Sequence, residues 1–377
     1  MRLFSPSMQR ICLSLCALMA GCAALMPAPA LALSMVFINP GKSTEPFWMM
    51  AIRNMQAVAD SLDIELEVLS AERDYLAQIR LTQEVVERPA QRRPDYLIIV
   101  AEKGTLLAQL ELADEAGIAT FLAFNTVADS DRPRVGHPRG RFTHWLGSLA
   151  PMAQEGGYLS ARALMEHALA RLPAGATPGL IALAGDRSTD TSLRRNQGLH
   201  RALAEFPQVR LHQLVYADWS YDKAVEQAGH LFRRYPQAQL VWSGSDLLAF
   251  GAMQALRDSP QGTDRAVFFS GINATSQALE ALLSGELSTL SGGHHMAGAW
   301  AMVLLHDHYH GLDFVETAGG VEQEHVMFAL LDERLARQLL DRRAQNATID
   351  FCSHSRVCNP ARAHYDFSFA SWLESER

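Results

Sequence analysis

The chain has 377 residues, of which 48% are hydrophobic and 20% charged, and its formal net charge is −8. This length is sufficient for two domains with well-buried cores, and the composition is ordinary for a globular protein. The negative charge argues against a nucleic-acid partner, because neutralising phosphates requires a basic face.

The first 32 residues have the pattern of a secretory signal peptide. Arg2 and Arg10 flank the start of an apolar segment, and Ala30-Leu31-Ala32 offers a cleavage site. A second route is lipidation, because residues 19–22 resemble a lipoprotein box that would tether the protein through Cys22. We therefore predict a signal peptide over 1–32 and a periplasmic protein, free or lipid-tethered.

Residues 33–125 alternate strands with helices. Strands are predicted at 35–38, 64–69, 96–100 and 117–124, with a helix between each pair. This order predicts a parallel sheet covered by helices on both faces, which we take as an N-terminal lobe over 33–125. A polar stretch rich in proline and glycine follows, and we predict a crossing loop over 126–147. A second run of the same kind predicts a C-terminal lobe over 148–291.

The loop from Asn39 to Trp48 joins the first strand to an amphipathic helix. In an open α/β sheet, this end of a strand faces the crevice in which ligands bind. We predict that Glu45, Phe47 and Trp48 form one wall of a ligand cleft. The alternative is that the two aromatic side chains belong to the core beneath the helix.

The cysteine pattern predicts one disulfide near the C-terminus. Cys12, Cys16 and Cys22 lie in the signal region, so the mature chain keeps only Cys352 and Cys358. An even pair in an exported protein favours a disulfide, and a metal site lacks a matching second pair. We place it in a C-terminal extension over 346–377.

Histidines at 306, 308 and 310 raise the alternative of a metal-dependent enzyme. Only His306 and His310 share a helix face, and no carboxylate or cysteine with metal-site spacing joins them. We interpret the segment as a solvated helix end. No nucleophile elbow, P-loop or dinucleotide fingerprint is present, so we predict no enzymatic activity, no metal and no cofactor.

Several motifs together resemble one family, the type I periplasmic solute-binding proteins, and in particular the sugar-binding branch that serves ABC importers. They are Pro46-Phe47-Trp48, Arg195-Asn196-Gln197-Gly198-Leu199 after Gly185, Ala217-Asp218-Trp219, Ser245–Ala252 and Gly271-Ile272-Asn273. The resemblance extends to about residue 345. It implies two doubly wound parallel-sheet lobes joined by three hinge crossings, with 292–315 returning to the first lobe and 316–345 to the second.

The resemblance also implies a ligand site between the lobes. Phe47, Trp48 and Trp219 would stack on a sugar, while Arg195 and Asn273 would hydrogen-bond to its hydroxyls. The full set of candidate ligand-binding residues is Glu45, Phe47, Trp48, Glu102, Asn125, Asp186, Arg195, Trp219, Ser245, Asp246 and Asn273. Ser245, Asn273 and Glu102 depart from the ribose-type pattern, so the identity of the sugar cannot be carried over.

Three of these candidates have structural alternatives. Arg195 could form a salt bridge with Asp186 or Asp190, and Trp219 could cap the helix that starts near residue 220. Asp246 precedes an apolar helix, where an aspartate is expected to act as N-cap.

The sequence thus predicts an exported protein that captures a small polar ligand, a carbohydrate by preference, for an ABC importer. The alternative is a periplasmic co-receptor that presents its ligand-bound state to a membrane sensor kinase, as autoinducer-2 receptors of this family do. Both functions use hinge closure, so the sequence does not separate them.

Overall fold

The computed structural model describes residues 32–259, 266–345 and 349–375. The predicted signal peptide and Cys22 lie outside this range, apart from residue 32. The described strands are β1 (Leu33–Asn39), β2 (Ile64–Ser70), β3 (Tyr96–Ile99), β4 (Ala119–Ala123), β5 (Trp145–Pro151), β6 (Gly179–Ala184), β7 (Arg210–Tyr216), β8 (Ala238–Ser243), β9 (Phe268–Ile272), β10 (Thr289–Gly292), β11 (Glu322–His325) and β12 (Ala329–Leu331).

The described α-helices are α1 (Pro46–Leu62), α2 (Tyr75–Val86), α3 (Leu106–Glu115), α4 (Arg132–Val135), α5 (Ala153–Leu169), α6 (Asp190–Glu205), α7 (Tyr221–Arg234), α8 (Asp246–Arg257), α9 (Ser276–Ser284), α10 (Ala297–Tyr309), α11 (Glu333–Ala344) and α12 (Phe369–Ser375). Among the described residues, no helix is both long and apolar enough to cross a membrane. Short 3₁₀ helices occur at Ala90–Arg92, His294–Met296 and Phe351–Ser353.

The first lobe is built on a six-stranded sheet with the order β11-β5-β4-β3-β1-β2. All its strand pairs are parallel. Strand β3 is buried along its whole length, as expected for a parallel strand covered on both faces. Helix α1 begins with Pro46 in its first turn, where the missing N–H costs no helical hydrogen bond.

The second lobe is built on a six-stranded sheet with the order β12-β10-β9-β8-β6-β7, parallel except for the β10–β12 pair. Four of its helices begin with a side chain that accepts a hydrogen bond from a backbone N–H in the first turn, namely Ser220, Ser245, Thr275 and Asp332. Two of these caps, Ser245 and Thr275, fix the start of α8 and α9 at the cleft. The predicted fold class, two doubly wound lobes joined by three crossings, is confirmed.

Two predicted lobe boundaries are wrong. The polar stretch 126–147 is not a crossing, because β5 pairs with β4 in the first sheet and the chain crosses only after Pro151. The predicted return to the second lobe at residue 316 comes too early, because β11 pairs with β5 and the chain crosses after His325. In each case the first lobe takes one strand more than predicted.

The C-terminal extension is folded against the first lobe, and Cys352 and Cys358 form the predicted disulfide. The interpretation of residues 306–310 as a solvated helix end is wrong for its first two residues. His306 and Asp307 are buried, because the extension covers that end of α10. Asp307 accepts hydrogen bonds from Ser355 Oγ and Tyr365 Oη of the extension at 2.5 and 2.7 Å.

Candidate ligand cleft between the lobes

The carboxyl ends of parallel strands of both sheets face one cavity. Its lining comes from the first lobe (Glu45, Pro46, Phe47, Trp48, Arg73, Glu102, Phe124, Asn125 and Pro151), from the second lobe (Thr189, Thr191, Arg195, Trp219, Ser245, Asp246, Leu247, Phe250, Asn273, Thr275 and Gln277) and from the crossing residue His294. Every predicted ligand-binding residue except Asp186 lies in this lining. The structure therefore brings together the two walls expected from the sequence.

Aromatic rings dominate the first-lobe wall. Trp48 is only 4% exposed and packs edge-on against Phe47 and Phe124, with ring centroids 5.0 Å away in each case. A Cβ atom at Gly41 would lie 1.9 Å from Trp48 Cδ1, so only glycine leaves room for this indole. Phe47 is less buried and stacks on the His294 ring at 5.0 Å. Trp48 is thus both a core residue and a lining residue, while Phe47 lies at the lobe interface.

Arg73, which the sequence analysis missed, joins two predicted acids at the end of β2. Its Nε donates to Glu45 Oε2 at 2.9 Å, and its Nη1 lies 3.9 Å from Glu102 Oε1. Burial raises the pKa of Glu102 to about 7, although the nearby Arg73 charge opposes this. Burial works against the charged form of Arg73, but Glu102 and Glu45 outweigh it and raise the pKa of the guanidinium.

Arg195 is the central cation of the second-lobe wall. Its Nη1 donates to the Gly244 carbonyl oxygen at 2.7 Å and its Nη2 donates to His294 Nε2 at 2.9 Å. A guanidinium has only donors, so His294 Nε2 must be the acceptor and the ring is neutral. Burial lowers the pKa of Arg195 to about 9, with Asp246 opposing, and burial and the Arg195 charge hold the pKa of His294 far below its usual value.

Asp186 does not line the cavity but positions a residue that does. Its Oδ2 accepts from Trp219 Nε1 and from Thr189 Oγ1, each at 2.8 Å, while its Oδ1 accepts from the N–H groups of Ser188 and Thr189. Burial would raise the pKa of Asp186, but these hydrogen bonds outweigh it and lower the pKa. The carboxylate has no capacity left for a salt bridge with Arg195, and the Arg195 alternative with Asp190 fails because Asp190 pairs with Arg194.

Trp219 occupies a strained position beside Gly185. Its backbone has a φ of 57°, which few large residues adopt. A Cβ at Gly185 would lie 2.1 Å from Trp219 Cζ2, so the indole lies directly on the glycine backbone. The alternative that Trp219 caps helix α7 is wrong, because Ser220 is the N-cap.

Two buried polar side chains donate hydrogen bonds to Asp246. Asp246 Oδ1 accepts from Asn273 Nδ2 at 2.7 Å, and Oδ2 accepts from Thr275 Oγ1 at 2.5 Å. Burial raises the pKa of Asp246, and the hydrogen bonds from Thr275 and Asn273 oppose that shift. The expectation that Asp246 is the N-cap of α8 is wrong. Ser245 caps α8, and Asp246 is the first helical residue.

Two contacts hold the lobes together directly at the cleft. Thr191 Oγ1 donates to Asn125 Oδ1, and Thr126 Oγ1 donates to Asp190 Oδ2. Asn125 is itself oriented by its Nδ2, which donates to the Ala101 carbonyl oxygen at 2.8 Å. The two lobes therefore stand in a closed arrangement. Within the described residues, no three histidine, cysteine or acidic side chains lie close enough to hold a metal ion.

Comparison with known proteins identifies the family. Residues 35–313 match the family described as periplasmic binding protein domain, which is more than half of the chain. The chain belongs to the periplasmic binding protein family. This confirms the resemblance seen in the sequence and, with it, the general function of a solute-binding protein.

Individual relatives agree with this assignment. A periplasmic sugar-binding protein from Pseudomonas fluorescens is 38% identical, with a TM-score of 0.80 over 90% of this chain and 99% of that one. The D-apiose import binding protein of Actinobacillus succinogenes is 24% identical over 64% of this chain and 70% of its own length. An ABC transporter solute-binding protein from the same organism, solved with bound D-allose, has a TM-score of 0.68 over 81% of this chain and 99% of that one. Its identity is 17%, so it shows the fold alone.

Several lining residues were not found from the sequence. Arg73 comes three residues after the end of β2, within a run of charged residues, and this position after a strand was the available signal. His294 lies in the run Gly292-Gly293-His294-His295, which has no pattern that marks a lining residue. Thr191 and Gln277 lie within the first turns of α6 and α9, where no pattern distinguishes them from other polar helix residues.

Proposed function

We propose that this protein binds a neutral sugar or polyol in the closed cleft and delivers it to an ABC importer. The observation that carries the proposal is the pairing of aromatic walls on both lobes, Phe47 with Phe124 and Trp219, with the charged donors and acceptors around them. Sugars have apolar ring faces that stack on aromatic rings and hydroxyls that take charge-assisted hydrogen bonds.

The charges of the site support a neutral ligand. Arg73 is already paired with Glu45 and lies near Glu102, so it offers no excess positive charge. Asp246 is occupied by donors from Asn273 and Thr275, which leaves no isolated carboxylate to attract a cation. Arg195 has no carboxylate partner, but the lining as a whole holds two guanidinium groups, Arg73 and Arg195, against three carboxyl groups, so it has no excess of positive charge. A ligand that brought a net charge into this buried site would have to be compensated there, which is costly.

The relatives support the same ligand class. Proteins similar to this chain are described as binding proteins for D-apiose and xylitol, both small polyhydroxylated molecules.

Delivery to an ABC importer requires the protein to be outside the cytoplasm. We infer export through the N-terminal signal sequence, with a lipid on Cys22 as the alternative form.

The test is a thermal-shift panel on the mature protein after removal of co-purified ligand. A ligand that binds only the folded state adds RT ln(1 + [L]/Kd), or about 2.7 kcal/mol at a concentration one hundred times Kd. We expect a clear rise in Tm with at least one of D-apiose, xylitol, D-allose or the common pentoses and hexoses, and none with amino acids. Trp219→Ala should abolish the rise. A panel in which no sugar or polyol shifts Tm would refute the proposal.

The transport partner is tested separately from the ligand. Deletion of the gene should abolish uptake of the radiolabelled sugar that gives the thermal shift, and the wild-type gene should restore it. Unchanged uptake together with loss of a transcriptional response to the same sugar would favour the sensor co-receptor over the importer.

A further inference from the structure

The C-terminal extension connects the first lobe, two hinge crossings and the second lobe. We propose that residues 349–375 act as a hinge strap, which restricts rotation at the crossings and favours the closed arrangement of the lobes. The restriction of the hinge is a property of the protein alone. Its effect on ligand affinity rests on the proposed function.

The strap is fixed to the first lobe by an aromatic cluster and a buried carboxylate. Phe351, His354 and Phe367 surround Trp300 of α10, with ring centroids 5.7, 4.8 and 5.2 Å away. On the same helix, Asp307 accepts from the Arg356 backbone N–H at 2.6 Å, in addition to its bonds from Ser355 and Tyr365. The disulfide closes the loop that carries Ser355 and Arg356. This end of the strap therefore moves with the first lobe.

The following part of the strap lies on two of the three crossings. The Phe369 N–H donates to the Val326 carbonyl oxygen at 3.4 Å in the crossing between β11 and β12. The Phe369 ring also covers Gly293 in the crossing between β10 and α10, where a Cβ would lie 2.4 Å from Phe369 Cδ2. Trp372 meets the His295 ring edge-on at 5.0 Å.

The end of the strap reaches the second lobe. The Leu373 carbonyl oxygen accepts from Arg342 Nη1 on α11 at 3.0 Å. On the same helix, Arg343 donates to the Ala274 carbonyl oxygen at 2.6 Å and lies 3.1 Å from Met50 Sδ of α1. Rotation of one lobe against the other would pull α12 away from either the crossings or α11.

The crossing beneath the strap also carries a residue of the ligand cavity. His294 precedes His295, stacks between Phe47 and Phe328 at 5.0 and 4.4 Å, and accepts from Arg195. A strap that holds this backbone in place also holds His294 against both walls. Because apparent affinity scales with the fraction of closed protein, loosening the strap weakens binding without removing any ligand contact.

The experiment measures the lobe separation in the full-length protein without ligand. Nitroxide labels at the exposed residues Glu84 on α2 and Glu226 on α7 report the distance by pulsed electron resonance. The test variant is Phe369→Ala/Trp372→Ala, which leaves the disulfide and the Trp300 cluster in place. The control is Phe314→Ala, which opens a cavity in the first-lobe interior, where Phe314 packs on Phe121 at 5.6 Å.

We expect the distribution of label-to-label distances in the test variant to broaden and to gain a component at longer distance. The control should lose a comparable amount of Tm but keep the wild-type distance distribution. Equal distributions for all three proteins would overturn the proposal and make the strap a purely stabilising element. If the double variant does not fold, Trp372→Leu decides in the same way, with a smaller expected lengthening.

For the sugar identified by thermal shift, Kd should rise roughly tenfold in the test variant. If no sugar binds, the proposed function fails, but the ligand-free distances still decide whether the strap exists.

Discussion

The hydrogen bond from Arg195 Nη2 to His294 Nε2, 2.9 Å long, joins the second-lobe wall to a hinge crossing. Both side chains are almost fully buried, so neither has water as an alternative partner. The bond orients the guanidinium toward the cavity and ties its position to the backbone that moves when the lobes separate. Arg195 thus depends on lobe closure for its full set of partners.

Replacing His294 should therefore weaken ligand binding through Arg195. His294→Ala leaves Nη2 of the buried guanidinium without an acceptor. A lost hydrogen bond to a charged group costs about 1.5–3 kcal/mol, which corresponds to a roughly tenfold to hundredfold rise in Kd. His294→Gln keeps an acceptor and should recover most of the affinity. Calorimetric titration with the identified sugar measures both.

His200 provides the matched control, because it is an exposed histidine on α6, the helix that carries Arg195. His200→Ala should bind as the wild type does. Equal affinities for the alanine and glutamine variants of His294 would show that a hydrogen-bond acceptor for Arg195 at this position does not determine ligand affinity.

Asp186→Asn should displace Trp219 while leaving the rest of the loop intact. The amide oxygen can still accept from the backbone N–H groups of Ser188 and Thr189, but the NH₂ group would then face Trp219 Nε1, which is also a donor. The mismatch of two donors in a buried site is expected to raise Kd about tenfold and to shift the tryptophan emission. Asp222→Asn, an exposed change on α7, should alter neither quantity. Unchanged emission and affinity in Asp186→Asn would mean that Gly185 and the backbone alone hold the indole.

Glu102 should make stability depend on pH in an unusual direction for an acid. Burial raises its pKa from the usual 4.5 to about 7 in the folded protein, so the folded state holds a proton that the unfolded state has lost. Its contribution to stability is therefore complete below pH 4.5, declines as the pH rises from 4.5 to 7, and is lost above that. The total change is on the order of 3 kcal/mol by linkage.

The measurement is the free energy of unfolding by urea from pH 4.5 to 8, in the wild type and in Glu102→Gln. The glutamine is uncharged at every pH, so the difference in unfolding free energy between variant and wild type should grow in favour of the variant across this interval. A difference that stays constant with pH would show that Glu102 titrates normally. Glu84→Gln, an exposed acid on α2, serves as the control.

The sequence allowed most of the second-lobe wall to be located, and the reason is local. Trp219 and Asn273 come within three residues of the ends of β7 and β9, and Arg195 lies near the start of the helix that follows β6. The carboxyl ends of parallel strands meet at one edge of the sheet. Arg73 also follows a strand, but its partners Glu45 and Glu102 come from other βα loops. The order of the strands in the sheet decides which loops lie side by side, and hydrophobic periodicity gives no information about that order.

The lobe boundaries could not be read from the sequence for a related reason. Strand β5 has the same apolar character in either sheet, and only its pairing with β4 assigns it to the first lobe. The burial of His306 and Asp307 was missed because it depends on the extension, which lies more than forty positions further along the chain and has no periodic pattern. A one-residue difference separated the expected cap Asp246 from the actual cap Ser245, since both residue types are good N-caps.

The first sheet takes its edge strand β11 from residues 322–325, and α10, which packs on α1, comes from 297–309. A fragment that ends at Pro151 would therefore contain five strands but neither the sixth strand nor the helix that buries one face of α1. Such a fragment would expose apolar surface and an unpaired strand edge, both of which promote aggregation. The two lobes are structural units but not independent folding units, and the first can be completed only after most of the second has been synthesised.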